Sequence, residues 1–447
     1  MERKSGICLV VVVVVCCLVG AGCGSGQSSS ATATSAGPGT GTPASTPGGS
    51  TPAPAVSSPI IYVSENTQNS GVIEAFAVNM NSGVLAPVSG SPFSTNYSTG
   101  GDMAVSPNGA FAYVLAVKYP AGTCCVGPTS LLVYALDPTS GAPALKQALA
   151  TTGIPSASAI SVHPSGQFIY LTPYSDNSGN TGIGVFSVQS DGTVVFSGFT
   201  QVQTLGGVAI SPNGFLYTDS GGVAVGNWPN SQSCGPVNEN LSAFSINSTT
   251  GALTAVVGSP FIFQRQACDV GHAPQWLTEQ IDPAGERLFV VDASDAAVDV
   301  FAIDPSSGAL AQLPGTSTDS ALTGGFYSSA IDPLGRFLYV GSEISSFTGF
   351  SLTANTASGT LPVLPGMPVQ ATPAPFNEAS RTMAIDPSGS FLFSNENGFT
   401  SAFSCCGPDA LVEFQIDATT GALTQVPSPP VTLAGTASRI VVAAPPQ

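Results

Sequence analysis

Apolar residues in this chain come in short runs that end on turns. The clearest instance is Met383-Ala384-Ile385-Asp386-Pro387-Ser388-Gly389-Ser390-Phe391-Leu392-Phe393, two apolar runs on either side of Asp-Pro-Ser-Gly. Proline pre-sets one turn dihedral, the acid caps its own backbone, and glycine takes a conformation that other residues avoid, so the segment predicts strand, tight turn, strand. The phrase returns at Pro107-Asn108-Gly109, Pro164-Ser165-Gly166, Pro212-Asn213-Gly214, Pro283-Ala284-Gly285 and Pro333-Leu334-Gly335, and an aromatic follows each copy: Tyr113, Tyr170, Tyr217, Phe289, Tyr339 and Phe393. Successive turn prolines lie 48 to 71 residues apart, a spacing that means a propeller or solenoid rather than one winding sheet.

A second unit interleaves with the first: an alternating strand with a central aromatic (Phe76, Tyr134, Phe186, Phe244, Phe301, Phe350, Phe414), then a turn such as Ser82-Gly83-Val84-Leu85 or Thr420-Gly421-Ala422-Leu423. Seven copies predict seven blades, against six Pro-x-Gly turns. The ends explain the difference. Ile60-Ile61-Tyr62-Val63-Ser64-Glu65 matches a second strand with no first strand before it, and Arg439-Ile440-Val441-Val442-Ala443 matches a first strand with no second strand after it. The expected fold is therefore all-β, a seven-bladed β-propeller of four-stranded blades closed by the carboxy-terminal strand joining the amino-terminal blade, which removes open sheet edges. Gly-Ser-Pro-Phe at Gly90 to Phe93 and Gly258 to Phe261 is expected to open an outer strand, where proline is tolerated. Loops after second and fourth strands share one face, and the length variation sits there, at Lys118 to Thr129, Asp219 to Asn240, Gln264 to Gln275 and Asn397 to Pro408. Long loops on one rim of a rigid scaffold are where binding is usually built.

Composition agrees with this reading. Only 8% of the 447 residues are charged, whereas glycine (51) and proline (37) are abundant, as in all-β chains. The repeat fills residues 59–447, one large domain. Before it, Arg3 and Lys4 precede an apolar run from Ile7 to Val19 and small residues up to Cys23, the order of a secretory signal (residues 1–23) rather than a membrane span. Gly20-Ala21-Gly22-Cys23-Gly24 resembles a bacterial lipoprotein cleavage site, with Gly20 where such sites usually carry Leu, so Cys23 is expected to carry lipid. Residues 24–58 are Ser, Thr, Gly, Ala and Pro, a tether with nothing to bury. The expected location is the cell envelope, with the membrane as a partner through the amino-terminal lipid. Without Glu2, Arg3 and Lys4, seven of the nine basic and 25 of the 26 acidic side chains remain. No basic stripe exists to neutralise phosphates, so nucleic acid is excluded as a partner. The chain is expected to be a monomer.

The remaining cysteines are Cys124, Cys125, Cys234, Cys268, Cys405 and Cys406, without Cys-x-x-Cys spacing, which disfavours zinc. Outside the cytoplasm they are expected to be oxidised. Cys234 and Cys268 flank blade four and are expected to pair; Cys124-Cys125 and Cys405-Cys406 form either two vicinal bridges or cross-links between blades two and seven. No phosphate loop, nucleophile elbow or zinc-protease helix stands out, and no cofactor or metal is expected.

Over about residues 59 to 445 the repeats resemble the lactonase family of seven-bladed propellers, which contains bacterial 6-phosphogluconolactonases and fungal carboxymuconate cyclases. That family places an arginine six residues before a turn proline at the channel entrance and an Asn-Glu pair at the end of the next strand, as in Ser380-Arg381-Thr382 and Ser394-Asn395-Glu396 here; where the family often has His, this chain has Thr382. By the same count Arg439 lies six residues before Pro445 and Glu65 three after Tyr62. The resemblance thus implies a candidate set of Arg381, Glu396, Arg439 and Glu65, in which arginines hold a carboxylate or polarise a lactone carbonyl and a glutamate activates water. The alternative is two salt bridges that close the ring. Gly271-His272-Ala273-Pro274 resembles a family segment with a functional histidine, so His272 joins the set; His163 replaces the usual turn Asp or Ser. The functional expectation is a ligand, a small anion, a lactone or a protein, bound on the loop-rich face, with hydrolysis of an extracellular lactone as the alternative.

Overall fold

The structure, a computed structural model, describes residues 58–67, 70–118, 129–151, 154, 157–173, 182–202, 207–224, 235–267, 277–292, 297–318, 326–342, 346–353, 357–371, 382–396 and 409–445. These residues form seven antiparallel sheets in a ring, each four strands deep, with no helix among them. The innermost strands are Thr436–Ala443 in blade 1, then Thr99–Val105, Ala157–Val162, Ala209–Ser211, Leu277–Ile281, Phe326–Ile331 and Met383–Ile385 in blades 2 to 7. The expected closure is present: Ile60 pairs with Ala443, Tyr62 with Val441 and Ser64 with Arg439, so blade 1 is built from both ends of the chain.

Second strands such as Phe168–Pro173, Phe337–Ser342 and Phe391–Glu396 are buried at every residue. A blade has a neighbour on each side, so both faces of such a strand are covered and the sequence there is nearly continuously apolar instead of alternating. The hydrophobic clusters accordingly span neighbouring blades; one joins Tyr113, Leu131 and Val133 of blade 2 to Ile160, Ile169 and Phe186 of blade 3.

The tyrosine in the second strand has a second role, which explains why Tyr62 and four of the six aromatics after a Pro-x-Gly turn are tyrosine. Its hydroxyl crosses to the next blade and donates to the carbonyl of the glycine in the turn between third and fourth strands: Tyr62 to Gly141 (2.6 Å), Tyr170 to Gly251 (3.0 Å), Tyr217 to Gly308 (3.0 Å) and Tyr339 to Gly421 (2.8 Å). Gly308 takes φ +74°, and a Cβ there would collide with the Phe215 ring, so only glycine seats this turn on the preceding blade. Blade 3 departs from the pattern. Its turn is one residue shorter, with Gly192 N–H donating to Gln189 three residues back where Gly141 N–H reaches Asp137 four back. The Tyr113 hydroxyl that faces it is buried without a hydrogen-bond partner among the described residues. Between blades 5 and 6, Phe289 has no hydroxyl, and the buried Arg287 substitutes: its Nη2 donates to Leu352 O at 2.9 Å while its Nε pairs with Asp282 at 3.1 Å.

The Gly-Ser-Pro-Phe segments lie where an outer strand is interrupted, and Phe93–Ser94 and Phe261–Ala267 resume it, as expected. In each, the serine Oγ accepts a backbone N–H of the third strand, Ala75 N–H on Ser91 and Ala243 N–H on Ser259.

Candidate functional site

An inner strand has one edge paired within its blade and the other facing the ring axis. All seven free edges therefore surround a central channel, where a cavity of about 430 Å³ is lined by Met103, Ile160, Gln280, Ser329, Met383 and Arg439 among others. Inner strands run from the loop-rich rim toward the Pro-x-Gly side, and second strands return to the rim. Arg439 stands opposite Ser64, near the end of the second strand, which places it in the half of the channel nearer the loop-rich rim.

Arg439 is half exposed and its Nε lies 3.4 Å from Asp102 Oδ1 on the inner strand of blade 2. The other Asp102 oxygen accepts Ile160 N–H of blade 3 at 2.8 Å, so this carboxylate bridges three blades. Burial raises the Asp102 pKa, opposed by the Arg439 guanidinium and by the Ile160 and Met103 N–H groups. Farther round the ring, Glu279 Oε1 accepts Asp219 N–H at 3.0 Å. Burial and then the neighbouring Asp219 charge push the Glu279 carboxyl up to about 8.

Glu65 points elsewhere. A register shift after Ser64 puts Glu65 opposite Ala437, and its side chain enters the seam between blades 7 and 1. There it is completely buried; Oε2 accepts Gly435 N–H at 2.7 Å, and Oε1 has no hydrogen-bond partner among the described residues. Burial, then Glu74, raises its pKa to about 8, with Asp409 adding to the shift and the Gly435 N–H opposing it. Glu74 accepts Ala434 N–H at 2.8 Å, so two carboxyls grip adjacent amides ahead of the closing strand. Glu396 is also completely buried and accepts the Ser394 hydroxyl at 3.3 Å. Its neighbour Asn395 donates to Asp409 Oδ2 (2.9 Å), which also accepts Ala437 N–H (2.8 Å). Thr382, at the position where the family often has His, is buried, and its hydroxyl accepts Ile440 N–H at 3.0 Å.

Of the residues singled out in the sequence, Arg439 thus lines the channel, Glu65 lies in the packed seam between blades 7 and 1, and Glu396 is buried on the second strand of blade 7. Arg439 pairs with Asp102, which sequence reasoning passed over. Its only signal was a lone acid inside an inner strand, Gly100-Gly101-Asp102-Met103-Ala104-Val105, rather than in a turn. Arg381, His272, Cys23 and the six candidate disulfide cysteines, Cys124, Cys125, Cys234, Cys268, Cys405 and Cys406, lie outside the described residues. His163 does sit in its turn, its Nδ1 accepting Ser165 N–H at 3.1 Å as an Asp would. Among the described residues no group of three or more His, Cys, Asp or Glu side chains is placed to hold a metal ion.

No known family model matches the sequence, and no curated protein matches it. Solved structures do match. A protein of Bacteroides fragilis provisionally named a 6-phosphogluconolactonase superposes with a TM-score of 0.62 at 17% identity, over 87% of this chain and 98% of that one. A protein of the same provisional name from Bacteroides uniformis gives 0.63 at 16% identity, over 86% and 99%. A functionally unknown protein of Desulfotomaculum acetoxidans gives 0.55 at 17% identity, over 87% and 100%. At these identities the likeness is one of fold: this chain has the lactonase-like seven-bladed propeller.

Proposed function

We propose that this chain is an exported, envelope-held propeller that binds a small anionic ligand at the loop-rich mouth of its channel. The observation that carries the reading is the half-exposed Arg439 guanidinium in the channel, a cation on a chain of net charge −17, while both described candidate carboxylates are withdrawn from solvent. A general base must reach the water it activates, and Glu65 and Glu396 are both completely buried. Asp102 holds Arg439 at only 3.4 Å, a contact that an incoming carboxylate can replace with a better one. Export and anchoring rest on the order of charged, apolar and small residues up to Cys23, and on the tether that follows.

The test is calorimetric titration of the full chain with mono- and dicarboxylates and their lactones, beside a hydrolysis assay on the same lactones. Carboxylate binding that falls at least tenfold in Arg439→Ala, with no turnover, is the expected result. Turnover of a lactone that disappears in Glu396→Gln, with the fold intact, would replace this reading with the hydrolase. Palmitate labelling of wild type and Cys23→Ala tests the anchor; label in the wild type alone is expected.

A further inference from the structure

The Arg439 guanidinium already has an anionic partner. Asp102 holds it through Oδ1 at 3.4 Å, while Oδ2 accepts Ile160 N–H at 2.8 Å, and the Asp102 side chain is 16% exposed against 50% for Arg439. The inner strand that carries Asp102 packs on its own second strand Phe111–Val117, on the inner strands of blades 1 and 3, and on Ile60–Asn66 and Gly71–Val78 of blade 1. Few titratable groups stand on those elements. Tyr113 packs into the core shared with blade 3, Tyr62 donates to Gly141 O, and Glu65 and Glu74 grip Gly435 and Ala434 N–H; Ala157–Val162 carries none. Among the described residues Arg439 is therefore the charge that faces Asp102, and it is the one basic side chain lining the channel cavity.

A ligand carboxylate that takes Arg439 leaves two anions to share one guanidinium. Asp102 cannot follow its partner toward solvent, because the Ile160 N–H of blade 3 fastens it between the blades. A carboxylate that stays buried and loses its counter-charge is costly unless it is neutralised. Burial already raises the Asp102 pKa, and the Arg439 guanidinium is the main influence against that rise, so drawing the guanidinium away raises it further.

We propose that Asp102 links this site to protons: as a carboxylate ligand takes Arg439, Asp102 takes one proton from solvent, and the channel mouth captures a monocarboxylate and a proton together. The link rests on anion binding at Arg439. Its charges balance, since a neutral Asp102–Arg439 pair, an anionic ligand and a proton become a neutral Asp102 carboxyl beside a neutral Arg439–ligand pair. The proton goes to Oδ1, the oxygen that Arg439 leaves, because Oδ2 keeps the Ile160 N–H. A second carboxylate on the ligand meets no further cation in the cavity lining, which favours monocarboxylates over dicarboxylates. Affinity is therefore greatest at low pH. It falls as pH rises, by up to about tenfold per pH unit wherever Asp102 is ionised in the free protein and protonated in the complex.

Calorimetric titration of the full chain with butyrate, in Tris and in imidazole at pH 7, tests the link. The two buffers differ in ionisation enthalpy, so the difference in heat counts protons, and neither supplies an anion to compete for Arg439. Uptake of about one proton per butyrate is expected, with a dissociation constant that rises between pH 5 and pH 8 and with succinate binding no tighter than butyrate. Asp102→Asn keeps an acceptor for Ile160 N–H but cannot take a proton. It is expected to abolish the uptake, flatten the pH dependence and bind butyrate about tenfold tighter than wild type at pH 8, with near-ultraviolet circular dichroism reporting the fold. Butyrate binding that is lost in Arg439→Ala yet takes up no proton in the wild type overturns the link and leaves the anion site standing. Uptake that persists in folded Asp102→Asn puts the proton on another group and overturns it as well. A wild type that binds no carboxylate at any pH removes the anion site, and the link with it.

Discussion

The direction of one side chain separates the two ways of reading the ring-closing residues. Glu65 and Arg439 sit on adjacent paired strands, yet Glu65 follows Ile61 and Val63 onto the face packed against blade 7, whereas Arg439 pairs with Ser64 on the opposite face, beside Asp102. Counting residues from a turn proline or an aromatic marks both as lying toward the same end of their strands, but which neighbouring blade each face packs against is set by the closed ring, so the two residues were legible as neighbours but not as residents of different environments. For Glu65 the consequence is a stability that depends on pH. A carboxyl raised from its ordinary 4.5 to about 8 in the folded state favours folding while neutral. That contribution is complete below pH 4.5, declines as pH rises, and is gone above about pH 8, a loss on the order of 3–5 kcal/mol. Glu65→Gln keeps the shape and the acceptor for Gly435 N–H but cannot ionise. Denaturant unfolding at pH 5, 7 and 9 is expected to show wild type losing stability across this series while the variant changes less, so that the variant is the more stable protein at pH 9. Parallel pH dependences would mean that Glu65 is already ionised, and unperturbed, at neutral pH.

At the scale of strands and turns, most of the architecture was legible because turn chemistry is local. The Pro-x-Gly and Gly-x-Leu turns each specify their backbone within a few residues, and the unmatched segments at the two ends foretold the closure. The contacts between blades were not legible, since they join residues about 80 positions apart whose only sequence trace is a recurring tyrosine. Those contacts make a prediction with an internal control. Tyr217 donates to Gly308 O across blades 4 and 5, and Tyr217→Phe leaves that buried carbonyl short of a donor, at a cost of about 1 kcal/mol. Tyr113 occupies the equivalent place before the shortened turn of blade 3, its hydroxyl buried and unsatisfied. Tyr113→Phe is therefore expected to be neutral or slightly stabilising. Equal losses in the two variants, read from urea midpoints, would show that the hydroxyl-to-glycine bond is not what holds neighbouring blades together.

For the molecule as a whole, everything depends on a ring whose last strand arrives last. Each blade-to-blade joint elsewhere is continuous in sequence, but the joint at blade 1 is held without a covalent link between Thr436–Ala443 and Ile60–Asn66. Its fastenings are correspondingly dense. Beyond the strand ladder, Thr382 takes Ile440 N–H, Asp409 takes Ala437 N–H, Glu65 and Glu74 take Gly435 and Ala434 N–H, and Ser438 donates to Gly100 O. Stopping the chain after Gly435 would remove the inner strand of blade 1, bare one edge of Ile60–Asn66, and leave Asp409 without its Ala437 donor. With −17 of formal charge working against compactness, an open ring has little reserve. The truncated chain is expected to unfold at a much lower urea concentration than the intact one and to be cut by protease first in blade 1. Adding the missing segment as a separate peptide is expected to restore part of the lost stability, because the closing strand is joined to its blade by pairing rather than by the chain. A truncated protein as stable as the intact one would mean that six complete blades hold the circle and that the carboxy-terminal strand is an accessory to it.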